Sequence, residues 1–238
     1  MSLRQHIPNT ITLCNLLAGC TGVVFALRGA FSVTLLCVLL SGTFDFLDGF
    51  AARKLKAYSP LGKELDSLAD LVSFGLSPAL TLLAYYGAAN PAVAWAGFFA
   101  LILAAFSALR LAKFNLDERQ TESFIGLPTP ACALLVIPLC VYAGHSDGFL
   151  HILLSTLWFI PVLTAVLSAL LVCELPMFSL KKKTGTLKAF LTGSVVLVAA
   201  GLIREIRLGS PWPVAVSLCI FLVMLFYLVL NLATLKRK

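Results

Sequence analysis

The chain has 238 residues, of which 60% are hydrophobic and only 12% are charged, and its mean hydropathy is +0.97. This composition excludes an ordinary water-soluble domain, in which about 45 to 50% of the residues are apolar. We attribute the net charge of +7 to membrane topology and to anionic lipid head groups, and not to nucleic-acid binding.

Apolar stretches long enough to cross the roughly 30 Å hydrocarbon core of a bilayer recur along the chain. We expect the first of them to stay in the mature protein, because no signal-peptide cleavage pattern follows it. The sequence predicts an all-α, polytopic membrane helix bundle of about eight transmembrane helices in a single domain, residues 1–238. The predicted spans are 10–28, 31–57, 62–87, 92–114, 128–144, 151–173, 187–203 and 212–234.

The basic residues fall mainly on one side of this predicted bundle. Of the 18 Lys and Arg residues, only Arg28, Arg204 and Arg207 fall on the other side. By the positive-inside rule both termini are predicted to be cytoplasmic, and we expect a bacterial inner membrane. The basic side carries Arg4, Arg53, Lys54, Lys56, Lys63, Arg110, Lys113, Arg119, Lys181, Lys182, Lys183, Lys188, Lys236, Arg237 and Lys238.

The seven cysteines are scattered singly through apolar segments and form no C-x-x-C pair. We interpret them as small packing residues. The three histidines lie far from the acidic residues described below, and we assign them no role.

The first predicted helix carries Thr12, Asn15 and Gly19 on one face, by their i, i+3 and i+7 spacing. Small and polar residues favour close helix packing in membranes. The alternative interpretation is that Thr12 and Asn15, together with Ser73 of the third predicted helix, line a cavity shared with acidic residues.

The second and third predicted helices carry four aspartates, and an ionised carboxylate in such a segment costs about 2.5 kcal/mol or more. Asp45 and Asp48 share a face of the second helix, and Asp66 and Asp70 share a face of the third, which also carries Ser73 and Ser77. The whole set can therefore face inward from a helical hairpin.

A Ser-Pro pair separates these two helices. We predict that Ser59 caps a helix whose first residue is Pro60, so that the third helix returns antiparallel to the second. The four carboxylates then meet near the cytoplasmic surface.

Four carboxylates in a low-dielectric site must be protonated, paired with cations or bound to metal. Oxygen ligands at this density suit Mg²⁺, Mn²⁺ or Ca²⁺, and two such ions about 3.5 to 4 Å apart can clamp a phosphoryl group. Gly49, Ala52 and Gly62 leave space on the same faces, and Arg53 is placed to hold phosphate oxygens.

The acidic hairpin resembles in full the signature of the CDP-alcohol phosphotransferase family. The matching residues are Asp45-x-x-Asp48-Gly49-x-x-Ala52-Arg53, followed by Gly62, Asp66 and Asp70. This resemblance implies the helical membrane fold and the chemistry of that family. It implies that the four aspartates hold two divalent metal ions, either Mg²⁺ or Mn²⁺. It also implies that Asp70 takes the proton of an acceptor hydroxyl. Gly49, Ala52, Arg53 and Gly62 would shape the CDP pocket, and CMP would leave. The family resemblance also suggests a homodimer.

Three further stretches, 7–19, 108–115 and 126–131, are similar to the bacterial and archaeal branch of this family whose acceptor is L-serine. That likeness implies CDP-diacylglycerol and L-serine as substrates, and phosphatidylserine and CMP as products. It places the catalytic part at about 7–135, and leaves scaffold or interface helices at about 150–238.

Three residues at the end of the fourth predicted helix are candidates for contact with the acceptor. Arg110 and Lys113 are candidates for the serine carboxylate or the lipid phosphate, or are ordinary positive-inside residues. Asn115 is a candidate for the serine ammonium, or caps the helix end. The run Lys181–Lys183 is interpreted as a solvated anchor.

Two alternatives remain at this point. The first is the same chemistry with glycerol 3-phosphate or inositol phosphate as the acceptor. A phosphorylated acceptor requires more cationic side chains near the acids than the loop after Arg110 supplies. A cation-coupled transporter would carry polar residues along a route through the membrane, whereas these acids gather near one face, which favours catalysis.

Overall fold

The computed structural model describes residues 3–117, 124–145, 148–177 and 185–235, and these are helical almost throughout. Several cations counted above for the topology lie outside the described residues: Arg119, Lys181–Lys183 and Lys236–Lys238.

Ten α-helices form in the described ranges, together with one pair of two-residue strands. A π-helical segment, Leu71–Leu76, joins α3 to α4, and a 3-10 segment, Pro91–Ala100, leads into α5. Strand β1 (Phe124–Ile125) pairs antiparallel with β2 (Pro176–Met177). The helices are α1 (Leu3–Leu27), α2 (Phe31–Lys54), α3 (Pro60–Asp70), α4 (Ser77–Ala89), α5 (Leu101–Leu116), α6 (Thr129–Ala143), α7 (Phe149–Ser155), α8 (Phe159–Val172), α9 (Gly185–Leu208) and α10 (Trp212–Leu235).

All eight predicted spans are helical, which confirms an all-α integral membrane protein. Within the described ranges, six helical stretches are long and apolar enough to cross a membrane, or seven if α7 and α8 count as one bent span. In this count α3, the π-helical segment and α4 form one stretch, and the 3-10 segment and α5 form another. The fifth predicted span corresponds to α6, which has 15 residues and is therefore roughly 22 Å long at 1.5 Å per residue. It begins directly after Pro128 and ends directly before Gly144.

The sixth predicted span is broken rather than continuous, with an 89° bend between α7 and α8. Pro161 lies in the first turn of α8. In a continuous helix its ring would clash with the carbonyl of Leu157, four residues earlier. The break at residues 156–158 avoids this clash, although Pro8 and Pro138 lie inside the continuous helices α1 and α6.

The Ser59 cap is confirmed. The Ser59 Oγ accepts a hydrogen bond from the Gly62 N–H at 3.0 Å, and α3 begins at Pro60. Between α2 and α3 the chain reverses through Lys56, which adopts a positive φ of 49°. This short reversal brings the acidic ends of α2 and α3 side by side.

Helix α1 packs along α2 and also against α3, the π-helical segment and α4. The approach is closest at Gly19, where a Cβ atom would lie 2.9 Å from the Ser73 Cα. Glycine is therefore required for α1 to contact the π-helical segment at this distance. The contact closes the bundle directly beneath the acidic residues.

Helix α9 lies at the periphery and packs mainly on α10, which in turn packs on α6. Near its end Arg204 forms an ion pair with the buried Glu205 and donates to the Tyr142 hydroxyl of α6 at 2.7 Å. These bonds attach α9 to the bundle at the end of α9 far from Gly185.

Candidate active site

Three carboxylates from two helices converge between α2 and α3. Asp45 and Asp48 lie one turn apart on α2, and Asp66 faces them from the last turns of α3. One oxygen from each lies within 4.8 Å of the others. The Ser59 cap and the antiparallel return of α3 therefore bring together residues that are 18 to 21 positions apart in the sequence.

This carboxylate cluster has the chemistry of a divalent-metal site. The Asp66 Oδ1 is buried and has no hydrogen-bond partner among the described residues, an arrangement that is costly unless a cation binds there. Carboxylate oxygens are the ligands that Mg²⁺ and Mn²⁺ prefer, so these three residues would hold such an ion.

The fourth aspartate, Asp70, lies outside that group of three and is 9% exposed. Its Oδ1 accepts a hydrogen bond from the Asn15 Nδ2 of α1 at 3.2 Å. Helix α1 contacts the cluster a second time through Thr12, whose hydroxyl donates to the Asp48 Oδ2 at 2.6 Å. The acidic hairpin is therefore held against α1 by two side-chain hydrogen bonds.

A cavity of about 500 Å³ opens beside the carboxylates. Small residues form part of its wall, since Gly49 and Ala52 of α2 face Gly62 of α3 across it. Two of the acids, Asp48 and Asp66, reach its surface. The other lining residues are Pro8, Asn9, Thr12, Ala57, Tyr58, Ser59, Pro60 and Lys63.

Only Thr12 of the three residues predicted to line the cavity does so. Asn15 and Ser73 are completely buried and are not among the residues that line the cavity. The close contact of α1 with the π-helical segment at Gly19 fills the space that would have exposed them. For these two residues the expectation of a cavity-lining position is corrected.

Lysine rather than arginine supplies the cation of the cavity wall. Lys63 lines the cavity, whereas Arg53 is exposed and its guanidinium lies beside Gly49, 3.5 Å from where a Cβ of that residue would be. Sequence reasoning missed Lys63, Asn9 and Tyr58. Lys63 had a signal, because it follows the cavity glycine Gly62 in the first turn of α3.

The three acceptor candidates on α5 lie outside this cavity. Arg110 is 7% exposed, its guanidinium packs on the Phe114 ring, and its Nη1 donates to the Thr129 hydroxyl at 3.4 Å. Arg110 and Lys113 line a separate cavity of about 40 Å³, room for a few waters only. Asn115 bonds to α3, through its Nδ2 to the Ser67 Oγ at 2.8 Å and its main-chain oxygen to Lys63 at 2.7 Å.

Fold and site together define a polytopic membrane protein with an oxygen-ligand cation site beside a cavity at one end of its helices. The model of the CDP-alcohol phosphatidyltransferase family matches residues 5–167, which include the whole cluster and the cavity. The chain belongs to this family.

Several similar proteins are named CDP-diacylglycerol–serine O-phosphatidyltransferase. The protein of Mycobacterium leprae is 34% identical over 181 residues, which cover 73% of this chain and 58% of that protein. The protein of Bacillus subtilis is 36% identical over 136 residues, 57% of this chain and 75% of its own length. That of Methanocaldococcus jannaschii is 38% identical over 134 residues, 56% of this chain and 60% of its own length. The chain therefore spans less than two thirds of two of these three relatives.

Proposed function

We propose that this protein transfers the phosphatidyl group of CDP-diacylglycerol to the hydroxyl of L-serine, with phosphatidylserine and CMP as products. The observation that carries the proposal is the cluster of Asp45, Asp48 and Asp66 at the wall of a cavity with small residues on two sides. Family membership supports the transfer from a CDP-alcohol, and the choice of serine is supported by the names of the similar proteins.

In this proposal Asp45, Asp48, Asp66 and Asp70 hold two Mg²⁺ or Mn²⁺ ions. The buried, unpartnered Asp66 Oδ1 supports a ligand role for that residue. When bound, the ions offset the negative charge of the diphosphate and polarise its phosphoryl oxygens. Smaller ions are favoured over Ca²⁺ because tight coordination of phosphate suits them.

The serine hydroxyl oxygen forms a bond to the phosphorus that carries diacylglycerol, and the bond from that phosphorus to the bridging oxygen breaks. CMP leaves with the bridging oxygen and its electron pair. The hydroxyl proton passes to the carboxylate of Asp70, which acts as the general base. Asp70 suits this role because it is nearly buried and lies outside the group of three carboxylates.

The cytidine diphosphate part of the donor occupies the 500 Å³ cavity. Gly49, Ala52 and Gly62 allow a flat base or a phosphate to approach the backbone closely. Lys63 at the wall, and Arg53 from outside it, supply positive charge for the phosphates. The family resemblance assigns Arg53 to this pocket, and its exposed side chain has the freedom to turn toward a bound donor.

The acceptor binds from the side of α5. Arg110 and Lys113 are the proposed partners of the serine carboxylate or of the lipid phosphate, since a guanidinium pairs well with either. Asn115 remains a candidate for the serine ammonium, although its amide already joins α5 to α3. The small cavity beside Arg110 must widen for an amino acid to enter it.

We further propose that residues 1–238 form one domain, with its catalytic part at about 7–135 and with scaffold or interface helices at about 150–238. The protein is proposed to act as a homodimer in a bacterial inner membrane, with its active site and both termini cytoplasmic. Mass measurement of the detergent-solubilised protein tests the dimer. Reporter fusions to the two termini test the orientation.

The decisive experiment measures CMP release by the purified protein in vesicles that contain CDP-diacylglycerol. L-serine, glycerol 3-phosphate, inositol phosphate and water are compared as acceptors, with and without a chelator. We expect release with serine that requires Mg²⁺ or Mn²⁺. Release with glycerol 3-phosphate but not with serine would overturn the proposed acceptor, and metal-independent release would overturn the role of the cluster.

A further inference from the structure

A buried hydrogen-bonded chain leads from the π-helical segment through α1 to the proposed base. The Ser73 hydroxyl donates to the Asn15 Oδ1 at 2.8 Å, and the Asn15 Nδ2 donates to the Asp70 Oδ1 at 3.2 Å. Asn15 and Ser73 are completely buried. Neither residue lines the cavity.

We infer that Asn15 is a positioning residue, which holds the Asp70 carboxylate in the orientation needed to accept the acceptor's proton and is itself oriented by Ser73. The inference rests on the proposed function and deepens it. It assigns a task to two residues that neither bind metal nor line the donor pocket.

The polarity of the chain fixes its direction. An amide presents a donor at one end and an acceptor at the other. If the Asn15 amide were flipped, its oxygen would face the Asp70 carboxylate, and two acceptors would be opposed in a buried site. The Ser73 hydroxyl favours the observed orientation, because it donates to the Asn15 Oδ1 at 2.8 Å, a shorter contact than its 3.2 Å contact with the Asn15 main-chain oxygen.

The fold holds this chain rigidly. The π-helical segment begins immediately after Asp70 and contains Ser73, and such segments recur at functional sites. Gly19, one turn beyond Asn15, allows α1 to approach the Ser73 backbone closely. The main-chain oxygen of Asn15 also accepts from the Ser41 hydroxyl of α2 at 3.2 Å. Three helical elements thus fix the residue that contacts Asp70.

Asn15 leaves one carboxylate oxygen of Asp70 for chemistry. Its amide is bonded to Oδ1, and we assign the acceptor proton to Oδ2. A carboxylate that rotates freely would present this oxygen correctly for only part of the time. Misplacement of a reacting group by about 1 Å costs on the order of 100-fold in rate, so the loss should appear in kcat.

The test compares Asn15→Ala and Asn15→Asp with the unaltered protein in the CMP-release assay. Aspartate keeps the shape of asparagine, and in its ionised form it has no donor for Asp70. We expect both variants to lower kcat by about 10- to 100-fold, the range found when residues that orient functional groups are removed. The donor KM, and the affinity for CDP-diacylglycerol measured without acceptor, should stay within about 3-fold, because the donor pocket is untouched.

Ser73→Ala tests whether serine acts through Asn15. We expect it to lower kcat several-fold alone and to have no further effect in the Asn15→Ala background, since residues in one chain are non-additive. The matched control is Ser217→Ala in α10, which removes a buried hydroxyl that donates to the Val214 carbonyl of its own helix; its kcat should be unchanged. Thermal unfolding in detergent accompanies each variant.

Three results would overturn the inference: full kcat in Asn15→Asp, additive losses in the double variant, or losses of kcat that are matched by lost donor binding. If the Asn15 variants fail to fold, unchanged kcat in Ser73→Ala overturns it as well. The assay uses whichever alcohol supports CMP release by the unaltered protein. Failure of serine as the acceptor is therefore seen separately, in the unaltered protein. If none of the alcohols supports CMP release by the unaltered protein, both proposals are overturned.

Discussion

Thr12 of α1 and Asp48 of α2 are joined by a hydrogen bond of 2.6 Å, in which the threonine hydroxyl donates to the Asp48 Oδ2. Both residues are buried and both line the cavity. The bond spans 36 positions in the sequence. It orients one carboxylate of the cluster from a helix that contributes no acid of its own.

We predict that Thr12→Val weakens metal binding without unfolding the protein. Valine keeps the shape of threonine but cannot orient Asp48, and loss of such a partner typically lowers metal affinity about 10- to 100-fold. The measurement is the Mg²⁺ concentration that gives half-maximal CMP release. Thr10→Val is the matched control, because the Thr10 hydroxyl is exposed and bonds only to the His6 carbonyl of its own helix among the contacts described. Equal metal dependence in the two variants would contradict the prediction.

Replacement of the proposed base by an isosteric amide should separate chemistry from binding. Asp70→Asn is expected to lower CMP release by about 10²- to 10⁴-fold, the usual contribution of a general base, while CDP-diacylglycerol binding is largely retained. The control is Glu64→Gln, which removes an exposed carboxylate two turns earlier on α3 and should leave turnover unchanged. Normal turnover in Asp70→Asn would exclude Asp70 as the base.

Gly19→Ala should destabilise the bundle. The new methyl group would overlap the Ser73 side chain and lie 2.9 Å from its Cα, so α1 must move away from the π-helical segment at a cost of about 1 to 3 kcal/mol. Gly42→Ala in α2 is the matched control, because its methyl group would meet only the Phe74 ring, at 3.8 Å. Thermal unfolding in detergent should show a lower midpoint for Gly19→Ala alone. Equal midpoints would argue against close packing at Gly19.

Arg110→Gln should affect the acceptor more than the donor. If the guanidinium binds the serine carboxylate, loss of a hydrogen bond between charged groups costs about 1.5 to 3 kcal/mol, which corresponds to an increase of roughly 10- to 100-fold in the serine KM. Lys54→Gln controls for the loss of a cation at the same end of the helices, since Lys54 is exposed and lies outside both cavities. A higher KM for CDP-diacylglycerol with an unchanged serine KM would instead assign Arg110 to the lipid phosphate.

Local chemistry made the central hairpin predictable. Ser59 and Pro60 specify a helix start through a cap and a fixed φ, and helical spacing placed Asp45 and Asp48 on one face and Asp66 and Asp70 on another. The structure has both features. The apolar stretches likewise predicted where helices occur, because a bilayer requires long helices wherever the chain crosses it.

Contacts between helices could not be predicted in the same way. Periodicity placed Asn15 on the correct face of α1, but an α-helical pattern does not reveal the π-helical segment that brings Ser73 to it. Helical spacing also could not show that Lys63, rather than Arg53, lines the cavity, because the chain reversal at Lys56 sets the relative rotation of α2 and α3. These features depend on how helices pack, which sequence spacing does not encode.

The cavity beside the carboxylates is about 500 Å³, and this size has a kinetic consequence for the proposed donor. A nucleotide head group fills such a volume, so two long acyl chains must stay in the surrounding bilayer during turnover. The enzyme would then respond to the mole fraction of donor within the membrane surface and not to its amount per volume of suspension. Diluting the vesicles with buffer should leave the rate per enzyme unchanged, whereas diluting the donor with inert phospholipid should lower it.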